Sequence, residues 1–167
     1  PLGGKFEENG DNRAALRMAL VDSDTMFHEV GIPYFQEKNL QIRDGASVEY
    51  EAGVDYQFAA DTTLEVGWNS QEAEFLVMGS ADAPVMFHGS KNTSGYWGGI
   101  IIHRNVLTTS SIQHAIIADA GGEDTDALNI KAVIELSDLL LTGNDTGAFI
   151  EAQGLKASSK NLSITET

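Results

Sequence analysis

The chain has 167 residues, with 25 acidic against 10 basic side chains and a formal net charge of −15. This excess of acid argues against binding to nucleic acid phosphates or to an anionic membrane surface, since both need a basic patch. The absence of cysteine excludes disulfides, zinc–thiolate sites and thiol catalysis, and no apolar run approaches the roughly 20 residues of a membrane-spanning helix.

The first hydrophobic segment is compatible with two secondary structures. Asp11 or Asn12 can serve as the N-cap of a short helix that covers the end of the domain. Leu16, Met18 and Leu20 also alternate with other residues, which is the pattern of a half-buried strand. We favour the strand and keep the capping helix as the alternative.

Short alternating runs then continue along the chain. In "SVEYEAG", Val48 and Tyr50 alternate with Glu49 and Glu51, and the same period of two recurs in several later segments. Those segments are "VDYQF", "TLEV" and "APVMFHG". Gly, Asn, Asp and Ser separate the runs and indicate turns, so the pattern predicts an all-β domain.

Apolar residues recur at nearly regular intervals. One predicted ladder has steps of about 23 to 26 residues, and its members are Leu16, Leu40, Leu64, Phe87, Ile112, Leu136 and Leu162. A second ladder consists of Ile32, Val54, Val77, Ile100, Ile130 and Leu155. Its one long step contains the acidic segment 118–127, which we interpret as an inserted loop.

A repeat of this length, made of short strands, favours a single-stranded right-handed parallel β-helix of about six irregular coils. One coil cannot bury its apolar side chains alone, whereas stacked coils bury a continuous interior column. A β-sandwich is the competing fold, because it also consists of short alternating strands. We predict one domain over residues 1–167, as a segment of a longer chain, and expect a partner, self-association or further chain at the solenoid ends.

Several segments, in order, resemble bacterial right-handed parallel β-helix proteins with the fold of the pectate-lyase-like superfamily. The resemblance covers most of residues 32–165. It rests on "IPYFQEKNLQIRDGASVEYEAGVDYQFAADTTLEVG", "GSADAPVMFHGS", "GYWGGIIIH", "SSIQHAIIADAGG" and "LSDLLLTGNDTGAFI". It implies a secreted or cell-surface protein of bacteria. The chain lacks the calcium-binding acidic cluster with a nearby basic residue of the enzymes with this fold, so no catalytic residues are transferred.

The acidic segment is the candidate metal site. It contains Asp119, Glu123, Asp124 and Asp126, with Gly121 and Gly122 between the first two. Carboxylates at this density can bind Ca²⁺, which takes 6 to 8 oxygen ligands. The spacing does not match an EF-hand, and a solvated loop is the alternative. Ca²⁺ is the only cofactor that we consider.

Histidines and paired carboxylates give two further candidates. His88 and His114 lie about one coil apart, and two imidazoles on adjacent coils can bind a transition metal. Glu49, Glu51 and Glu65 can supply the pair of carboxylates that a glycosidase needs. Isolated surface side chains explain both patterns equally, so we assign no catalytic residue.

Aromatic residues at corners are the candidate ligand contacts. Trp68 follows the strand "TLEV", and Tyr96 and Trp97 precede the strand "GGIII". Aromatic rings stack on the apolar faces of sugars. The alternative is that these rings cap the core, and we expect this of Trp97, which leaves Tyr96 better placed for a ligand.

We therefore expect a non-enzymatic structural or binding segment of a bacterial surface or secreted protein that contacts glycans. A polysaccharide lyase or hydrolase that uses surface carboxylates is the alternative. Ice or mineral binding ranks last, because "TTLEV" and "VLTTSS" do not repeat in register.

Overall fold

The computed structural model of the chain describes residues 12–122, 124–151 and 154–165. Their regular structure is almost entirely β-strand, with one short 3-10 turn at Trp68–Ser70. The strands are β1 (Ala14–Leu16), β2 (Leu20–Val21), β3 (Thr25–Phe27), β4 (Tyr34–Gln36), β5 (Leu40–Ile42), β6 (Ser47–Glu51), β7 (Asp55–Phe58), β8 (Thr63–Val66), β9 (Glu74–Met78), β10 (Val85–Gly89), β11 (Gly99–Ile102), β12 (Ser111–Ala118), β13 (Leu128–Ile130), β14 (Glu135–Thr142), β15 (Ala148–Ile150) and β16 (Lys160–Thr165).

These strands pair in parallel and form three faces around one interior. Face A is a six-stranded sheet with the order β15-β13-β11-β8-β5-β2. Face B contains β3, β6, β9 and the first parts of β12, β14 and β16. Face C contains β1, β4, β7, β10 and the second parts of the same three long strands. The fold is a parallel β-solenoid of about six turns, which confirms the predicted fold class.

The interior is filled by side chains that stack in register from turn to turn. On face A the column is Leu40, Leu64, Ile100 and Leu128, all fully buried. The matching columns are Phe27-Tyr50-Val77-Ile112-Leu136 on face B and Tyr34-Tyr56-Phe87-Ile117-Leu141 on face C. Adjacent members are about 4.8 Å apart along the solenoid, so each turn covers the apolar side chains of the previous one.

The observed register corrects the regular ladders predicted from the sequence. Leu40 does align with Leu64, but Leu64 pairs next with Ile100 on face A, whereas Phe87 lies on face C. One turn takes 24 residues from Leu40 to Leu64, 36 from Leu64 to Ile100 and 28 from Ile100 to Leu128. Corner loops of different lengths cause this variation, because only the strands are constrained to stack.

At its start, the described chain forms strand rather than helix. Residues Ala14–Leu16 are β1, which pairs with β4. The strand interpretation of this segment is therefore confirmed for Leu16, while Asp11 lies outside the described residues.

The corner between faces B and C becomes very tight in the last three turns. A single left-handed residue bends each long strand there: His114 (φ 46°), Asp138 (φ 54°) and Asn161 (φ 53°). These residues stack, with Asn161 Nδ2 donating to Asp138 Oδ1 at 2.6 Å and His114 Nε2 lying 3.6 Å from Asp138 Oδ2. Asn and Asp tolerate this backbone conformation better than other side chains do.

The last described strand leaves inward-facing side chains open. Leu162 and Ile164 align with the buried Leu139 and Leu141, yet they are 42% and 57% exposed. The expectation that a partner, a second copy or further chain covers this end stays a prediction.

Candidate ligand-binding site

Trp97, one of the aromatics considered for ligand contact, is a core residue. Its side chain is 0% exposed, and its ring stacks on Phe58 with centroids 3.9 Å apart and an interplanar angle of 1°. Its indole Nε1 donates to the carbonyl oxygen of Ala118 on the next turn at 2.8 Å. The expectation that Trp97 packs over the corner is confirmed, and a ligand cannot reach its ring in this fold.

Two glycines after Trp97 allow the chain to enter strand β11. Gly99 has φ +111°, and a Cβ placed on it would lie 2.4 Å from the carbonyl oxygen of Asp126. A Cβ on Gly98 would lie 2.5 Å from the Thr63 side chain. Only glycine therefore fits where neighbouring turns approach this closely. Ile100 and Ile102 are buried, and the intervening residue faces out of face A.

Tyr96, the other aromatic at this corner, is half-buried. Its hydroxyl accepts a hydrogen bond from Ser90 Oγ at 3.3 Å, and Lys91 Nζ lies 5.6 Å from the ring centroid. These contacts hold the ring against its own loop. Part of the ring remains accessible, and whether it binds a ligand stays a prediction.

The first residues of the acidic segment are packed into this corner. Asp119 is 9% exposed, and its backbone carbonyl accepts a hydrogen bond from the Trp97 N–H at 3.3 Å. Asp124 is exposed, and Asp126 Oδ2 accepts from Asn129 Nδ2 at 2.9 Å. Glu123 lies outside the described residues. Residues 119–122 therefore stack on the preceding turn, and the proposed Ca²⁺ site stays a prediction.

No metal cluster is present in the described parts of the chain, where no group of three or more His, Cys, Asp or Glu side chains could hold an ion. His88 lies opposite Ala118, four residues beyond His114 on β12, a distance of roughly 13 Å along the strand. His88 contacts Asp55 and His114 lies 3.6 Å from Asp138, so the two imidazoles have different partners.

His88 instead lies between carboxylates. Its Nε2 is 2.8 Å from Asp55 Oδ1, and its Nδ1 is 2.9 Å from the Gly89 carbonyl oxygen. Burial lowers the pKa of His88, but the hydrogen bond and charge of Asp55, helped by Gly89 and Asp119, outweigh it and raise the pKa. Burial raises the pKa of Asp119, against the lowering effects of His88 and the Gly89 backbone.

The carboxylates considered as a catalytic pair are divided between two faces. Glu49 and Glu51 lie on β6 of face B, whereas Glu65 lies on β8 of face A. His28 Nδ1 is 2.8 Å from Glu51 Oε2. Glu65 therefore does not share a sheet with the other two carboxylates.

Trp68 reaches solvent at the opposite corner of the solenoid. It is 40% exposed and lies next to a cleft of about 380 Å³ between the corner loops of faces A and B. The cleft is lined by Gly67, Ser70, His103, Arg104, Asn105, Lys131 and Glu151. We call these residues, together with Trp68, the open corner.

Four turns of the solenoid contribute to the open corner at the same position. Gly67, His103, Lys131 and Glu151 each directly follow the last paired residue of a strand on face A. Their backbone N–H groups each donate to the preceding turn, as His103 does to the Val66 carbonyl at 2.9 Å. The strands of face A thereby align side chains that are far apart in sequence.

Charged and aromatic groups are interleaved in this cleft. Arg104 donates to Glu151 Oε1 at 2.8 Å across two turns. His103 Nε2 lies 3.0 Å from Glu65 Oε2, and the His103 ring packs against Trp68 with centroids 5.4 Å apart and an interplanar angle of 68°. The arrangement offers an aromatic ring beside hydrogen-bond donors and acceptors of both charges.

Sequence reasoning found Trp68 but missed its neighbours. The sequence patterns single out none of His103, Arg104, Lys131 and Glu151. The sequence does contain a usable signal, since the residues aligned at this corner each directly follow an apolar strand. Reading it requires the register, because the turns differ in length by up to twelve residues between Leu40–Leu64 and Leu64–Ile100.

The fold and the site place the chain in the class of parallel β-solenoids with a corner cleft. No protein-family model matches the chain, and comparisons with curated proteins and with solved structures find no match. Within the described residues, no helix is long and apolar enough to cross a membrane.

Proposed function

We propose that this domain is a non-enzymatic binding segment that contacts glycans through the open corner. The observation that carries this proposal is an exposed tryptophan, Trp68, at the edge of a cleft lined by polar and charged side chains. Sugars combine apolar ring faces with many hydroxyl groups. Ligand sites of this chemistry pair an aromatic surface with a few polar groups that fix orientation.

The polar lining suits a polyhydroxylated ligand. Arg104 and Glu151 present a donor and an acceptor side by side, and Lys131 extends the lining. Such groups can exchange their hydrogen bonds with water for hydrogen bonds with sugar hydroxyls. The cleft is shallow and spans several turns, which favours contact with an extended chain over enclosure of a small molecule.

A second part of the proposal concerns the kind of protein to which the domain belongs. We propose that the domain belongs to a bacterial secreted or surface protein related to the pectate-lyase-like β-helix proteins. The motif order described above and the solenoid fold support this relationship. The net charge of −15 suits a soluble exported protein that does not bind nucleic acid.

A glycan array tests the proposed site. The wild type, Trp68→Ala and Tyr96→Ala are applied to immobilised β-1,4- and β-1,3-glucans, chitooligosaccharides, uronate oligomers and peptidoglycan fragments. We expect Trp68→Ala to weaken the strongest wild-type signal by at least about tenfold, because a central aromatic anchor dominates binding. Tyr96→Ala is the matched control and should leave the signal unchanged.

The other outcomes are equally informative. Loss of binding in Tyr96→Ala alone would move the site to the corner that contains Trp97. Absence of binding to every class of glycan would contradict the proposal. A reducing-sugar assay on the same polymers addresses the enzymatic alternative, since turnover sensitive to Glu65→Gln would overturn the non-enzymatic assignment.

A further inference from the structure

The backbone around Trp68 has an unusual conformation. Three of the four residues from Gly67 to Ser70 have left-handed backbone angles, with φ of 74° at Gly67, 56° at Asn69 and 63° at Ser70. The conformation is easy for glycine, tolerable for asparagine and unfavourable for serine. Residues held in such conformations persist only where surrounding contacts fix them, and they concentrate at binding sites.

Asn105, on the next turn, supplies one of those contacts. Its side-chain Nδ2 donates to the Ser70 carbonyl oxygen at 2.6 Å, directly at the strained end of the turn. Gln71 N–H donates to the Trp68 carbonyl at 3.3 Å. Beneath the turn, Val106 is almost fully buried, and its Cγ2 lies 3.0 Å from where a Cβ of Gly67 would be. The turn is thus held from the adjacent coil and packed from below.

A second set of contacts fixes the indole ring itself. The His103 ring packs edge-on against Trp68, and its Nε2 is within 3.0 Å of Glu65 Oε2. The His103 and Glu65 side chains are only 20% and 14% exposed, so neither is free to reorient in solvent. A carboxylate that fixes an imidazole, which in turn supports an indole, restricts the rotation of the outermost ring.

We infer that Asn105, together with His103 and Glu65, pre-organises Trp68 for ligand contact, with Asn105 fixing the backbone and the His103–Glu65 pair fixing the ring. These are positioning residues. The inference rests on the proposed function for its consequence in binding, but the restricted motion of Trp68 is a property of the protein alone. Pre-organisation strengthens binding because less conformational freedom is lost when the ligand binds.

The experiment measures motion and affinity separately. A Trp97→Phe background leaves Trp68 as the sole tryptophan, since the chain contains two. In this background, Asn105→Ala, His103→Ala and Ser70→Gly are compared by time-resolved fluorescence anisotropy of Trp68. The same proteins are tested against chitohexaose, cellohexaose, laminarihexaose and a uronate hexamer, and their thermal midpoints are recorded.

We expect each variant to increase the amplitude of fast Trp68 motion and to weaken hexasaccharide binding about fivefold. Ser70→Gly is the most informative variant, because it relieves backbone strain and should not lower the thermal midpoint. His103→Gln, which keeps a donor for Glu65, should restore part of the rigidity. The matched control Asn129→Ala removes a side-chain amide that donates to Asp126, away from the open corner, and should leave Trp68 unchanged.

Two results would overturn the inference. Unchanged anisotropy in Asn105→Ala and Ser70→Gly would mean that these contacts do not fix the ring. Greater motion with unchanged affinity would mean that orientation of the ring does not limit binding. Failure of the proposed function is distinguishable, since in that case Trp68→Ala would leave binding unaffected whatever the anisotropy.

Discussion

The two tryptophans of this protein occupy opposite corners of the same solenoid and have opposite environments. Trp97 comes just before a strand of face A, where the glycines that follow let its ring lie inward on Phe58. Trp68 comes just after a strand of face A, where the left-handed Gly67 turns the next residue outward. The side of the strand and the backbone angle, rather than the residue type, therefore decide whether the tryptophan is buried or exposed.

Both corners have loops that stack from turn to turn. The corner with Trp97, which we call the closed corner, consists of residues 90–98, 119–122, 124–127 and 143–147. Backbone hydrogen bonds connect these three loops, from Gly122 N–H to the Trp97 carbonyl at 3.0 Å and from Asp145 N–H to the Ala120 carbonyl at 2.9 Å. The turns of the open corner are also joined by backbone hydrogen bonds, as from the His103 N–H to the Val66 carbonyl at 2.9 Å. Each corner has a cleft, of about 380 Å³ at the open corner and about 340 Å³ at the closed corner. The two corners therefore differ in where their tryptophan lies, exposed at the open corner and buried at the closed one.

The largest expected effect is a difference in stability between the alanine variants of the two tryptophans. Trp97→Ala should lower the free energy of unfolding by about 3–5 kcal/mol, because it removes a fully buried ring and leaves a cavity. Trp68→Ala should change it by no more than about 0.5 kcal/mol, as is usual for a surface substitution. Urea unfolding followed by far-ultraviolet circular dichroism measures both. Equal losses in the two variants would remove the distinction between the corners.

A smaller loss of stability is expected when a side-chain link between the loops of the closed corner is removed. Asn144 accepts a hydrogen bond from the Ala120 N–H at 2.8 Å and donates to the Ile117 carbonyl at 3.0 Å. Asn144→Ala leaves both backbone groups without these partners and should cost about 1–3 kcal/mol. Asn92→Ala, in the exposed part of the same corner, is the control, and urea midpoints compare the two. A loss no larger than that of Asn92→Ala would show that the loops stack without this link.

The smallest expected effect is a pH dependence at the edge of the closed corner. The pKa of His88 in the folded protein is raised above its ordinary value of 6.5, mainly through Asp55. The protonated form therefore favours folding, and this contribution is complete below the ordinary pKa and is lost as pH rises through the raised pKa. The urea midpoint of the wild type should therefore fall as the pH rises above the ordinary histidine pKa of 6.5.

His88→Gln should flatten that part of the pH profile, whereas His28→Gln, at an exposed histidine, is the control. Asp119, whose pKa is raised from 3.8 by burial, contributes a separate fall at lower pH, because its protonated form also favours folding. Parallel profiles for the wild type and His88→Gln above pH 6 would contradict the role assigned to this imidazole.

Different parts of the molecule were predictable to different degrees. The alternation in "SVEYEAG" correctly places Val48 and Tyr50 inside, because a strand directs successive side chains to opposite faces. The partner of Leu64 was predicted incorrectly, because a 36-residue turn separates it from Ile100. A local period gives the inside and outside of a strand, but loop length decides which strands become neighbours.

The residues of the candidate site were also predictable to different degrees. Trp68 could be identified from its position after a strand, and Trp97 could be assigned to the core from the glycines and isoleucines that follow it. His103, Lys131 and Glu151 could not be grouped, since 28 and 20 residues separate neighbouring members and no motif connects them. Only the parallel register of face A brings them together.

Alternation and glycine-rich turns are local properties, so the sequence predicted short strands with one apolar side, and the repeat length favoured a parallel stack over a β-sandwich. Which corner closes around a tryptophan and which leaves one exposed is seen only in the folded chain. That outcome depends on the lengths of loops in successive turns and on a few left-handed residues. These loops and residues come into contact with the neighbouring coils only when the coils stack.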